Sequence, residues 1–338
     1  MHFSAARRIA ARSINIRVAM RGVCWGLVLC LLSTWAWAQA VFPLRPMRIV
    51  VPAPPGGGTD ILARMVARKL IEAWGRQVIV DNRGGASGMI GSEIVARADA
   101  DGHTLLISFT SHVTNPTLYP KMPYDTLRDF AGVAVVAIVP SVLLIHISLP
   151  PTTMKEFIAY VKERPGKLTY GSAGSGSAGH LSAVLFTSMT GSSMIHVPYK
   201  GSGPALPDLL AGQLNLMFGN MASAVPHVKS GKIRALAVTS ARRSAAAPEL
   251  PTFAESGLPG YDSSAWFALF APSKTPAAVV AKINNEVNQM MRTSDMKERM
   301  LPLGADAVAM TPAELDKTVR TEIVKWAKVI RESGARSD

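Results

Sequence analysis

The run YGSAGSGSAGH, residues 170–180, places Gly174, Gly176 and Gly179 in G-x-G-x-x-G order and adds the hydroxyls of Ser172, Ser175 and Ser177. A second glycine cluster, Gly56, Gly57 and Gly58, stands in VPAPPGGGTD. Glycines between a strand and a helix leave backbone N–H groups bare beside the positive end of the helix dipole, a cradle for a small oxyanion. The alternative is that they serve only tight turns and helix caps. A dinucleotide would need an acidic residue about 20 positions on to hold its ribose. None stands between the loop and Asp208, and no Lys-Ser/Thr pair follows the glycines as a Walker loop requires. Two cradles, one in each half of the chain, therefore point to one small anion gripped between two lobes, with no nucleotide cofactor.

Enzymatic signatures are missing from the sequence. There is no G-x-S-x-G elbow and no H-E-x-x-H, and the histidines at 103, 112, 146, 180, 196 and 227 are dispersed. A serine, histidine and aspartate converging in space would make a secreted hydrolase the remaining enzymatic reading.

The elements that must carry these loops follow from periodicity. MRIVVPA reads as a buried strand. Thr59 or Asp60 then caps a helix with Leu62, Val66, Leu70 and Trp74 on one face. QVIVDN and HTLLISF are the next strands, with a helix near 92–98 between them. This βαβαβ order is the signature of a layered α/β fold. VAVVAIVPSVLLIHI reads as two strands meeting at a bend at Pro140. Thr153-x-x-Glu156 forms a capping box for a helix ended by Pro165-Gly166. KLTYGSA, SMIHVPY, LNLMFGN and KIRALAVTS are short strands around a helical GPALPDLLAG, and SSAWFALFAP is a further strand. Two helices close the chain, one opened by Thr275-Pro276 and the last by Thr311-Pro312, with Leu315, Val319, Ile323, Trp326 and Ile330 facing inward.

Residues 1–40 carry five arginines and no acidic residue. The apolar run Gly22–Leu32 is too short to span a bilayer and precedes Ala36-Trp37-Ala38, so residues 1–38 are expected to be a signal peptide cut after Ala38, with Ala40 as the second choice. Cys24 and Cys30 both fall in this leader, which excludes disulfides from the mature chain. Taking the leader arginines from the formal charge of +13 leaves about +8. The basic residues are scattered without Lys/Arg runs or interleaved aromatics, which argues against a nucleic-acid surface and allows a small anionic ligand.

Taken together, FPLRPMRIVVPAPPGGGTDILAR, VDNRGGASGMIGSEIVARADADGHTLLIS, HVTNPTLYPKMPYD, LTYGSAGSGSAGHL, VPYKGSGPAL and YDSSAWFALFAPSKTP resemble the Bug family, the periplasmic solute-binding proteins of tripartite tricarboxylate transporters. The resemblance runs in order over residues 42–335. It implies a two-lobed, type II periplasmic-binding-protein-like α/β fold, each lobe a sheet flanked by helices. It also implies a monomer that takes a carboxylate in the cleft and delivers it to the large and small subunits of a membrane permease, without metal or cofactor. A loaded form that signals to a sensor kinase is the alternative outlet. Lobe 1 is expected over 41–139 and 262–338, and lobe 2 over 140–261.

By the same resemblance, the ligand-binding residues of lobe 1 would be Ala53, Gly57, Gly58 and Thr59, with Thr110, Ser111, His112 and Asn115. Those of lobe 2 would be Ser172, Ala173, Gly174, Ser175, Gly176 and His180, then Tyr199, Lys200, Gly201 and Asn220. His112 and His180 also read as neutral residues holding the loops, Asp60 as a helix-dipole partner, and Trp266 as core or hinge. Two positions depart from the family pattern. Ala53 stands where an aromatic often follows the proline, which would widen the pocket, and Gly84 stands where NRP is usual.

Overall fold

The computed structural model describes residues 42–172, 174, 176–199 and 202–333. The leader, with Cys24 and Cys30, lies outside them, as do Ala173, Ser175, Lys200 and Gly201.

The strands are β1 (Met47–Val51), β2 (Val78–Asn82), β3 (Thr104–Ser108), β4 (Phe130–Val139), β5 (Ser141–His146), β6 (Thr169–Ser172), β7 (Ile195–Pro198), β8 (Leu216–Asn220), β9 (Ile233–Val238) and β10 (Ala265–Pro272). They form two five-stranded sheets, ordered β2-β1-β3-β10-β4 and β7-β6-β8-β5-β9. In both, parallel βαβ pairs lie on one side and antiparallel strands complete the other. Such mixed sheets need helices on their faces, and the chain supplies α1 (Gly58–Trp74), α2 (Met89–Ala96), α3 (Ser111–Leu118), α4 (Met154–Lys162), α5 (Ala178–Thr190), α6 (Ser202–Leu210), α7 (Met221–Lys229), α8 (Ala277–Arg292), α9 (Ser294–Met300) and α10 (Pro312–Ser333).

The change of sheet comes at Pro140, between β4 and β5. Proline has no N–H to continue a ladder. Beyond it, Ser141 donates its N–H to Thr239 Oγ1 at 2.9 Å, starting a new register. The chain returns through Tyr261 to Ser264. There the buried Tyr261 hydroxyl donates to the Ser182 carbonyl at 2.8 Å, and Ser263 and Ser182 share a hydroxyl contact of 2.8 Å. The last helix, α10, buries Leu315, Val319, Trp326 and Ile330 and packs on β4, α3 and α5. It therefore touches elements of both sheets.

The capping box at Thr153 is present, with Glu156 N–H donating to Thr153 Oγ1 at 3.2 Å and the Glu156 carboxylate receiving the Thr153 N–H. At α1 the expectation is corrected. Neither Thr59 nor Asp60 is the cap. The helix starts two residues before Thr59, from Gly57, which is extended and carries no capping side chain. Asp60 lies inside the first turn, where its carboxylate accepts the Gly56 N–H at 2.9 Å and Arg64 Nε at 3.0 Å. Burial opposes ionisation of Asp60, but the bonds from Arg64, Gly56 and Asn82 outweigh it and hold the carboxyl below its ordinary range. Asp60 thus ties the glycine turn to its helix.

Candidate functional site

The loops at one end of the two sheets enclose a cavity of about 500 Å³. Its walls are Thr59 at the start of α1, Ser87 in a 3₁₀ turn, one face of the α3 segment (Phe109, Thr110, Ser111, Thr114, Asn115, Leu118 and Tyr119), Gly176 to Ala178 at the start of α5, and Ala265 and Phe267 on β10. The walls therefore come from loops of both sheets. They also approach closely, since a Cβ built on Gly176 would stand 3.5 Å from Leu118 Cδ1.

Three helix N-termini converge here. At α1, the uncapped Gly57 leaves the first amides without a partner on the helix. At α3, the Thr110 hydroxyl is buried with no partner among the described residues. Pro116 would cost α3 the bond to the His112 carbonyl, and Thr126 Oγ1 donates to that oxygen instead at 3.2 Å, so the short helix survives its proline. At α5, Ser177 Oγ accepts the His180 N–H at 3.3 Å, leaving the Ala178 and Gly179 amides at the mouth of the helix. No described lining residue carries a charge, and the hydroxyls of Thr59, Ser87, Thr110, Ser111, Thr114, Ser177 and Tyr119 supply donors. Helix dipoles and hydroxyls in a partly enclosed space suit an anion without a partner cation.

The turn before α2 is strained. Ala86 and Ser87 have φ of +47° and +51°, which non-glycine residues rarely adopt. They are held by Asn115, whose Nδ2 donates to the Ser87 carbonyl at 3.0 Å, and by Tyr119, whose hydroxyl lies 2.6 Å from Ser87 Oγ. Asn115 thus both lines the cavity and fixes its neighbour. Gly84 lies where a Cβ would meet Pro54 and Ala53 at 3.2–3.3 Å, so the two glycine-rich loops of this half press together.

Of the residues singled out in the sequence, Thr59, Thr110, Ser111, Asn115 and Gly176 line the cavity. Ala53 and Gly57, in the connection from β1 to α1, and Gly58, the first residue of α1, are not among the lining residues, and the Ala53 carbonyl receives Asn82 Nδ2 at 3.2 Å. Asn220 is the last residue of β8, paired with Ser141. His112 points the other way, 1% exposed, with its ring 4.3 Å from that of Phe270 and 5.0 Å from that of Phe130. Burial drives its pKa from 6.5 down to about 3, so it is a neutral core residue, and neither ring nitrogen has a hydrogen-bonding partner among the described residues. The Tyr199 hydroxyl donates to Asp208 at 2.5 Å, and this bond, with burial, pushes its pKa up to about 12.

The expectation that the Gly174 and Gly176 amides face open space is also corrected. Gly174 N–H donates to Ser172 Oγ at 3.1 Å, and Gly176 N–H to His180 Nδ1 at 3.0 Å. Gly179 has another duty, because a Cβ there would stand 2.7 Å from the Phe218 carbonyl oxygen, the approach of α5 to β8. Among the described residues, the amides without a partner on the helix are those of Ala178 and Gly179 in the first turn of α5. Among residues not anticipated, Phe109, Leu118, Ala265 and Phe267 form an apolar wall. Ala265 and Phe267 could have been found from strand alternation, since both are half-buried while Trp266 between them is buried. Among the described residues no cluster of histidine, cysteine, aspartate or glutamate could hold a metal.

The family model described as tripartite tricarboxylate transporter family receptor matches residues 62–335. BugT of Bordetella pertussis is 39% identical over 297 residues, which cover 87% of this chain and 91% of that one. The R. palustris protein Rpa4515, solved with adipate, is 40% identical and covers 87% of this chain and 99% of its own, with a TM-score of 0.72. MatC from Rhodopseudomonas palustris, solved with bound malate, is 35% identical over 86% of this chain and 100% of its own, with a TM-score of 0.67. The two sheets with their flanking helices are thus the two-lobed fold of periplasmic binding proteins, and the chain belongs to the tripartite tricarboxylate transporter receptor family, the Bug proteins.

Proposed function

We propose that this protein is an exported receptor that captures a small mono- or dicarboxylate in the cavity between two lobes and hands it to the large and small subunits of a tripartite membrane permease. The observation that carries this reading is the convergence of the α1, α3 and α5 N-termini on a cavity of about 500 Å³ whose described walls offer hydroxyls and no charge. The adipate and malate held by the two R. palustris relatives support the same ligand class. Thr59, Thr110, Ser111, Asn115, Ser177 and Ala178 are the proposed contacts, with Ser175, Lys200, Gly201 and Asn220 as further candidates from the sequence. The lobes are 41–139 with 262–338, and 140–261. Sheet membership supports this division, as strands β1 to β4 and β10 share one sheet and β5 to β9 the other. Residues 1–38 are the cleaved export signal, and the receptor works in the periplasm as a monomer without metal or cofactor.

Thermal-shift titration of the mature protein against a panel of carboxylates, metals and nucleotides tests this. A ligand at about 100 Kd adds about 2.7 kcal/mol to stability, a rise of several degrees in Tm. A panel in which only metals or nucleotides stabilise the fold would reverse the conclusion.

A further inference from the structure

The parallel strands β6 and β7 pair Tyr170 with His196, and the first turn of α5 brings His180 over both. The three rings lie nearly parallel, with His196 against both of the others. The Tyr170 and His196 centroids are 4.8 Å apart and those of His196 and His180 are 4.1 Å apart, with interplanar angles of 18° and 12°. Each of the two imidazoles fastens one glycine of the loop. His180 Nδ1 accepts the Gly176 N–H at 3.0 Å, which requires a lone pair on Nδ1 and places the ring proton on Nε2. His196 Nε2 lies 2.7 Å from Ser172 Oγ. That oxygen receives the Gly174 N–H and donates to the Gly174 carbonyl, both at 3.1 Å. The single hydroxyl hydrogen of Ser172 serves either the Gly174 carbonyl, with His196 Nε2–H donating to Ser172, or His196 Nε2 itself, and in both arrangements the imidazole is bonded to the side chain that receives the Gly174 N–H.

Gly174 and Gly176 have φ of +123° and +76°, conformations that glycine adopts freely among many others, so the residues alone do not single out this loop shape. Gly176, Ser177 and Ala178 line the cavity, whereas His196 does not. We infer that His196 is a positioning residue for ligand capture: through Ser172 and by stacking on His180 it fixes the loop whose following amides receive the carboxylate. A site held to a fraction of an ångström depends on such a supporting layer. The ligand half of this inference rests on the function proposed above, and the loop half does not.

The experiment compares wild type with His196→Phe, which keeps a stacking ring but no hydrogen-bonding nitrogen, and His196→Gln, whose side-chain amide restores a group near Nε2 that can donate or accept. Hydrogen–deuterium exchange of the unliganded protein over residues 171–180 reads the loop directly, and calorimetry with the tightest carboxylate of the panel reads capture. Exchange in this segment is expected to rise about tenfold in His196→Phe at nearly unchanged Tm, with affinity about tenfold weaker, and both should return most of the way in His196→Gln. Wild-type exchange in His196→Phe would overturn the inference, as would equal loosening in the two variants. If His196→Phe does not fold, Ser172→Ala takes its place, and unchanged exchange there has the same force. If wild type binds no carboxylate, the proposed function fails, and the exchange result still decides the role of His196.

Discussion

Lowering the pH from 7 to 4.5 is expected to remove about 2 to 3 kcal/mol of folding stability through His112 alone. The ring is 1% exposed and wedged between Phe130 and Phe270, and burial lowers its pKa from 6.5 to about 3. The unfolded chain takes up the proton near 6.5, while the folded protein refuses it until far lower pH. Between the two values the unfolded state binds more protons, so stability rises with pH. It is fully present above about 6.5 and is lost progressively towards about 3, by about 1.4 kcal/mol per unit. Asp60, Asp81 and Asp101, whose carboxyls are also held below their ordinary range, add losses at the acid end. For that reason the test is a comparison. Urea unfolding at pH 7 and 4.5 should show His112→Phe losing about 2 to 3 kcal/mol less than wild type, and equal losses would place His112 in a protonatable, solvated setting.

How far this architecture can be read from sequence depends on which force forms each element. Pro140 and the Thr153 box act locally, and both appear in the sequence as they do in the structure. The α3 segment SHVTNPTL has no apolar period and contains Pro116, and it reads as a turn. It is helical because Thr126, from outside the helix, satisfies the carbonyl that the proline abandons. Likewise α7 contains Pro226 and gives no sequence signal of its own. The site divides in the same way. The glycine loops are legible by composition, but which amides stay open depends on side chains of the loop itself, Ser172 two residues before Gly174 and His180 four after Gly176, whose bonds follow from the loop's conformation and not from its residue types. The strained Ala86-Ser87 turn is held by Asn115 and Tyr119, 28 and 32 positions away, a distance no local pattern encodes.

Gly176→Val is expected to weaken carboxylate binding by about 100-fold or more while leaving a folded protein. At φ of +76° a β-branched residue is strongly disfavoured, and the distortion would pull the amide away from His180 Nδ1. The added Cβ would also stand 3.5 Å from Leu118 Cδ1, so the two methyls beyond it would enter the cavity or hold its walls apart. Both effects act at a cavity-lining turn before α5 and leave the sheet ladders untouched, and circular dichroism should therefore show native secondary structure. Gly179→Val provides the contrast. A Cβ there would meet the Phe218 carbonyl at 2.7 Å, against backbone that cannot give way, so α5 must lift from β8 and the damage falls on folding, by about 1–3 kcal/mol or more. Titration calorimetry and thermal melts on the two variants separate these roles. Wild-type affinity in a folded Gly176→Val protein would reduce the loop to a turn with no part in capture. A Gly179→Val protein as stable as wild type would show that α5 does not need its close approach to β8, and the same spacing that imitates a dinucleotide loop would then need another explanation.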